Sequence, residues 1–354
     1  MGKKDKERKE KKEKEKKLNC PRVSICTPTF NRRPFFKGLI DCVNAQSYPK
    51  DKIEWIIVDD GTDKIEDLVK DIPFVKYIYT EKMPLGRKRN FMHDQCSFKN
   101  DNDIVIYFDD DDYYPKERIS HAVEKLTSST ALCAGSSEIH IWFNTLDKMY
   151  RFGPYGANHA TAGTFAFKRE LLKQTGYEND ALLAEEKHFL KNYTIPFIQL
   201  DPLKTILVIS HEQNTFDKRR LVSPENKQCN ESALKPQNFI KNKELLSFYI
   251  EDIPVLLKTY HAGDVSNKPD VLKEIEKRDN EREQIQYQNQ VPQVTVKNQD
   301  GTSRLLQTHE IIQALQNVTS ESLELKKQNE LLQSKLVIMD QIIRRNNLQH
   351  FFMM

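Results

Sequence analysis

The stretch Ile104-Val105-Ile106-Tyr107-Phe108-Asp109-Asp110-Asp111-Asp112 decides the reading of this chain. Its apolar half has the length of a buried strand, bounded by Asp103 and the aspartates, and far too few residues to cross a membrane. The four carboxylates that follow repel one another by roughly 4 kcal/mol per adjacent pair at an intermediate dielectric, but by about 1 in water. A half-buried run of this kind therefore calls for a cation, and hard oxygen ligands suit Mg²⁺ or Mn²⁺ bridging carboxylate to phosphate oxygens.

Working outward, the neighbouring segments repeat the pattern of apolar run, polar turn and amphipathic stretch. Val23 to Thr27 reads as a first strand, Phe35 to Ala45 as a helix, and Ile53 to Val58 as a second strand ending at Asp59-Asp60-Gly61. Val75 to Tyr79 is a third strand, Leu85 to Cys96 a helix, and Thr205 to Ser210 a late strand. Strands alternating with helices predict βαβ units and a mainly parallel sheet. Polar residues gather at the carboxyl ends of those strands, the edge at which open α/β sheets bind ligands.

The chain has 354 residues, 38% of them hydrophobic, enough for one substantial core and appendages. Lysine and glutamate dominate residues 1–20, which are expected to form a disordered, solvated arm. The formal net charge is only +3, so nucleic acid is not an expected partner. Six scattered cysteines, without a CxxC pair, read as reduced thiols of a cytoplasmic protein. No signal peptide or membrane span is visible, and Lys6 stands where a myristoylation signal wants Ser or Thr.

After about Thr215 the strand signals fade. Leu245 to Tyr260 and Val271 to Gln286 look helical, within a helical extension set at 221–286, and 287–304 reads as a Gln/Asn-rich linker. From 305 to 347 a heptad runs with Ile311, Val318, Leu325, Leu332 and Met339 at d and Leu315, Ser322, Asn329, Leu336 and Ile343 at a. Asn329 at one a position predicts a parallel dimer. Glu321 would face Lys326 of a second helix, and Lys335 would face Asp340.

Four stretches, in order, carry a resemblance to glycosyltransferase family 2: Val23-Ser24-Ile25-Cys26-Thr27-Pro28-Thr29-Phe30-Asn31-Arg32, Ile57-Val58-Asp59-Asp60-Gly61-Thr62, Gly86-Arg87-Lys88-Arg89-Asn90, and Asp109 to Asp112, which matches the family's DxD motif. The resemblance covers Val23 to about Lys218 and implies a GT-A, Rossmann-like fold over 21–220, a nucleotide-diphospho-sugar donor and a divalent metal such as manganese. It implies that Pro28, Phe30 and Asp60 surround the base, with Asp59 in the same nucleotide-binding turn. Arg89 is expected to meet base or phosphates, Asp109 the ribose and Asp111 the metal. The alignment of four aspartates can slip by one, which leaves Asp110 a competing ligand. His211, after the late strand, is a further metal candidate.

An inverting transfer also needs a base that can take the acceptor's proton. Glu185-Glu186 resembles the acidic pair at the start of a family helix, and Glu186 is the expected catalytic base, with Glu185 as the fallback; the family more often has Asp at the second position. His159 and Thr161 are expected near the acceptor. The acceptor itself, whether glycan, protein or small molecule, is open. Two alternatives stand beside this reading: a catalytically inactive GT-A scaffold that dimerises through its coiled coil, and a haloacid-dehalogenase-like phosphatase with an Asp nucleophile. The second leaves the Asp59-Asp60-Gly61 turn unexplained.

Overall fold

In a computed structural model, residues 20–290, 295–297 and 301–345 are described. The expected arm at 1–20 falls almost wholly outside them. Two compact units are present, 1–278 and 279–354.

The first unit opens with β1 (Val23–Thr29), α1 (Phe36–Asn44), β2 (Ile53–Asp59), α2 (Glu66–Val69), β3 (Val75–Tyr79), α3 (Leu85–Gln95), β4 (Ile104–Tyr107) and α4 (Arg118–Thr127). It continues with β5 (Cys133–Gly135), β6 (Ile139–Phe143), β7 (Lys148–Phe152), β8 (Ala166–Lys168), α5 (Glu186–Phe189), β9 (Phe197–Gln199), β10 (Leu207–Ser210) and β11 (Cys229–Glu231). The expected strands and helices of the first hundred residues all form, within a residue or two of their expected ends.

The main sheet has the order β3-β2-β1-β4-β8-β5-β9. It is parallel from β3 through β4, antiparallel on either side of β8, and parallel again between β5 and β9. β1 and β2 are almost wholly buried, because helices cover both faces of the parallel part. Val23, Ile25, Trp55 and Ile57 face one core with Phe35, Leu39 and Phe108, while Cys26, Ile56, Val58 and Tyr107 face another with Met92 and Phe189. This is a mainly parallel α/β architecture, as the resemblance to the GT-A fold implies.

A second sheet, β10-β6-β7-β11, was not legible from periodicity. It corrects the expectation of a separate helical extension starting at 221: β11 pairs with β7, and Phe239, Leu245, Phe248, Tyr249 and Ile253 enter the first core. They do so from α6 (Pro236–Phe239), α7 (Lys243–Ser247), a π-helical turn at Phe248–Asp252 and α8 (Ile253–Leu257). The segment 221–278 is thus part of the first unit, not an appendage. Helix α9 (Pro269–Gln290) follows.

In the second unit, the expected linker partly folds: β12 (Thr295–Lys297) pairs antiparallel with β13 (Ser303–Leu305) around Gly301, whose φ of 85° is a glycine conformation. The residues between and before them, 291–294 and 298–300, lie outside the described ones. Helix α10 (Thr308–Arg345) then spans the heptad segment. Its first turn is held by Glu310, which accepts from the Gln307 N–H at 2.8 Å and pairs with Arg304.

Candidate active site

The carboxyl ends of β1, β2 and β4 open into a cleft of about 310 Å³. Pro28, Phe30, Asp60, Arg89, Asp109, Asp110 and Asp111 all line it. Asn31, with φ of 52°, turns the chain sharply after β1; its side-chain oxygen accepts from the Asp63 N–H at 2.8 Å. That turn leaves Phe30 half-buried at the cleft wall.

The two aspartates after β2 divide their work. Asp59 accepts from the Gly61 N–H at 2.9 Å, the Tyr77 hydroxyl at 2.9 Å and the Ile65 N–H at 3.2 Å, so its carboxylate is consumed in shaping the turn. It does not line the cleft. Asp60 does line it, paired with Lys88 and accepting from the Met83 N–H at 3.0 Å. Burial pushes the Lys88 ammonium down, although Asp60 opposes the change.

Lys88 and Arg89 stand on the buried face of α3 with Met92 and His93. Gly86 lets the helix approach closely: a Cβ there would run into the Glu178 carbonyl, and the Gly86 N–H donates to the Ala181 oxygen at 2.9 Å. Arg89 donates from Nε to Glu185 at 2.8 Å, reaches Asp109 at 3.5 Å and lies over the Tyr107 ring at 4.3 Å. Glu185 is therefore tied to Arg89. Glu186 begins α5. Burial, with the Glu185 charge beside it, raises its carboxyl above the usual range. Ala184 just before the pair has φ of 53°, a conformation that costs a non-glycine residue about 1 kcal/mol or more.

The four aspartates after β4 are not equivalent. Asp112 accepts from the Ile209 N–H at 2.9 Å and its carbonyl accepts from the Tyr249 hydroxyl, so it joins the two sheets. Asp109 has a buried Oδ1 without a hydrogen-bond partner. Arg32 places its Nε 3.8 Å from Asp110 and 3.6 Å from Asp111. Burial, then the neighbouring Asp111, pushes Asp110 up to about 7. Asp111 is buried too, yet His211 and Arg32 outweigh that cost and hold it below the usual carboxylate range.

His211 meets Asp111 at 3.0 Å through Nε2, while its Nδ1 accepts from the Gln213 N–H at 3.2 Å. Both contacts require a proton on Nε2; Asn214 Nδ2, 2.9 Å from the same nitrogen, would favour the opposite tautomer, but a carboxylate outweighs an amide. Burial lowers the ring to about 4, so it is neutral at pH 7. In this arrangement His211 orients Asp111, and its Nε2 is not free for a metal. His159 and Thr161 lie outside the cleft lining; His159 stacks on Tyr193 with centroids 4.8 Å apart.

Among the described residues no three His, Cys, Asp or Glu side chains converge as a cation cage. Asp109 Oδ1, buried without a hydrogen bond although Arg89 stands 3.5 Å away, lies beside Asp110 and Asp111 and nevertheless fits a cation shared with phosphate oxygens, since Mg²⁺-type ions often take only one or two protein carboxylates. Arg32, Lys88, Lys218 and Lys268 also line the cleft and were not assigned roles from sequence. Lys88 sat inside a quoted motif and Arg32 at the end of another; Lys268 had no local signal.

Residues 24–181 match the model of the family described as Glycosyl transferase family 2. No curated protein matches it. Among solved structures, it is similar to a mannosyltransferase, PcManGT, from Pyrobaculum calidifontis in complex with GDP-Man and Mn²⁺, at 20% identity over 55% of this chain and 59% of that one, TM-score 0.44. It is also similar to S. aureus TarS 1-349 in complex with UDP-GlcNAc, at 17% identity over 64% of this chain and 65% of that one, TM-score 0.43. The chain thus spans less than two thirds of either of these two proteins. The family match leaves the phosphatase alternative without support.

Proposed function

We propose that this chain is a metal-dependent, inverting glycosyltransferase that moves a sugar from a nucleotide diphosphate to an acceptor hydroxyl. One observation carries the reading: Phe30, Asp60, Arg89, Asp109 and Asp111, drawn from separate segments, line one cleft at the carboxyl edge of the sheet. Phe30 and Asp60 serve the base, and Asp109 the ribose. Asp111, oriented by His211 and Arg32, would hold Mn²⁺ or Mg²⁺, with Asp110 as its competitor. That cation, when bound, neutralises charge on the departing diphosphate.

Glu186 takes the acceptor proton. Its raised carboxyl brings it nearer the working pH, as a general base requires, whereas Glu185 serves to fix Arg89. The helix α10 pairs two chains in parallel through its heptad, and the enzyme works in the cytoplasm, where sugar nucleotides are made. No helix among the described residues is long and apolar enough to cross a membrane.

The inactive-scaffold alternative has one observation on its side: Arg32 already supplies an internal counter-charge to Asp110 and Asp111. Isothermal titration of UDP, GDP and their sugar conjugates, with and without Mn²⁺, decides between the two. Manganese-dependent binding that disappears in Asp109→Asn/Asp111→Asn supports the transferase. Absence of binding to every nucleotide under both conditions favours the scaffold.

A further inference from the structure

Most cations in the cleft are already matched to carboxylates. Arg32 sits between Asp110 and Asp111, Lys88 pairs with Asp60, Arg89 with Glu185 and Asp109, and Lys82 with Asp270 at 2.6 Å. Lys218 and Lys268 differ: among the described residues neither has a carboxylate within 4 Å. Lys268 is half-buried in the wall, and among the described residues its ammonium makes one hydrogen bond, to Thr215 Oγ1 at 2.9 Å. It also lies 5.2 Å from the centroid of the Phe30 ring. An ammonium carries three donors, so two remain for a ligand.

The segment that delivers Lys268 is fastened to the nucleotide-binding turns. The Tyr260 hydroxyl donates to Asp63 at 2.9 Å, Asn31 Nδ2 to the Ala262 carbonyl at 2.8 Å, and Arg32 Nη1 to the Gly263 carbonyl at 3.1 Å. Gln213 Nε2 donates to Asp264 at 3.0 Å. Gly263 has no room for a Cβ, which would meet Gln213 and the Asn31 carbonyl. Residues 260–268 thus form a strap across the β1 and β2 turns, well beyond the 24–181 family segment, and Lys268 is held in place by it.

We propose that Lys268 is a donor-phosphate ligand, its ammonium meeting an oxygen of the nucleotide diphosphate. The inference rests on the transferase reading above. A half-buried ammonium with no carboxylate at ion-pair distance is costly, and a diphosphate supplies both the close charge and the acceptors that Lys268 lacks. Phosphate, not the base, is the chosen partner because Lys268 lines the same cleft as Asp109, Asp110 and Asp111, where the proposed cation and diphosphate would meet. The strap therefore completes the donor site from sequence far beyond the motifs.

The test uses the full chain with Mn²⁺ and titrates UDP, UMP and uridine, and likewise GDP, GMP and guanosine, into wild type, Lys268→Met and Lys268→Arg. Lys268→Met should weaken the diphosphate by about 10- to 100-fold, the loss of one charge-assisted hydrogen bond, and leave the nucleoside unchanged. Lys268→Arg should recover most of the loss. Equal weakening of diphosphate and nucleoside would assign Lys268 to the base and overturn the proposal, as would unchanged diphosphate binding. If Lys268→Met melts early, Lys268→Gln, which keeps a donor for Thr215, carries the same comparison. A wild type that binds no nucleotide at all would instead fail the transferase reading itself.

Discussion

In the cleft, Asp60, Lys88, Arg89 and Asp110 are almost wholly withdrawn from water, whereas along α10 Leu315, Leu325 and Leu336 are 62%, 63% and 64% exposed. Each region departs from the usual partition of charge outside and leucine inside. In the cleft the departure is compensated within the chain, because nearly every buried charge has an opposite charge or a backbone N–H beside it. Along α10 no such compensation occurs among the described residues of its own unit; Asp340, expected to face a second helix, pairs in its own helix with Arg344 at 2.9 Å. Leu323, Leu331, Val337 and Ile338 are exposed as well, off the a and d positions, so the apolar surface is broader than the heptad alone. A buried charge cluster is a property of tertiary structure, while an exposed leucine stripe is a property of a repeat that a second helix would cover.

The sharpest way to break this comparison is at the acid pair, where two adjacent glutamates are assigned different work. Glu186→Gln should reduce turnover by about 10²- to 10⁴-fold with donor affinity nearly unchanged, while Glu185→Gln should chiefly weaken donor binding by loosening Arg89. Reversed signatures in steady-state kinetics would exchange their roles. Next, Asp111→Asn should cost about 10²- to 10³-fold in turnover and abolish the manganese dependence of nucleotide binding; an Asp110→Asn variant with the larger loss would move the cation to Asp110.

On the helix, Leu325→Lys with Leu332→Lys removes two apolar d positions, each worth about 2 to 5 kcal/mol when buried. Sedimentation equilibrium should fall from twice the chain mass to one, with nucleotide affinity within about twofold of wild type. A mass that does not change would mean that this face packs elsewhere.

The smallest effect concerns a buried base that has no charged partner. His93 meets the Tyr107 hydroxyl at 2.6 Å, and burial pushes its pKa down to about 3, against about 6.5 in an unfolded chain. Between those values the unfolded state binds the extra proton, so stability falls as pH falls through that window. The contribution is about 2 kcal/mol between pH 7 and pH 5. His93→Gln should flatten this part of the pH dependence in urea denaturation. Equal slopes for the two proteins would show that His93 is protonated in the folded state.

Much of the frame was legible because it rests on local physics. The apolar runs of β1, β2 and β4 have strand length and end in polar turns, and the amphipathic stretches between them make parallel βαβ units the consistent solution. The same periodicity marked α10. Three-residue strands such as β5, β8 and β11 carry too few residues for any period, so the second sheet and the strand β8 that reverses the main sheet went unread. The segment 221–278 looked like an appendage because helical patterning says nothing of what a helix packs against.

The site divides along the same line. Sequence by itself determined that Pro28, Phe30, Asp60 and Asp109 to Asp111 would stand at strand ends, because each lies where an apolar run stops. Only the tertiary structure decided that Asp59 and Asp112 hold the fold, that Arg89 binds Glu185, that His211 turns toward Asp111, and that Lys268 enters the cleft. Local spacing fixes which residues share an edge or a face, but a carboxylate's partner is chosen by whatever distant segment folds within 3 to 4 Å of it, and that distance is set by the packing of the whole unit.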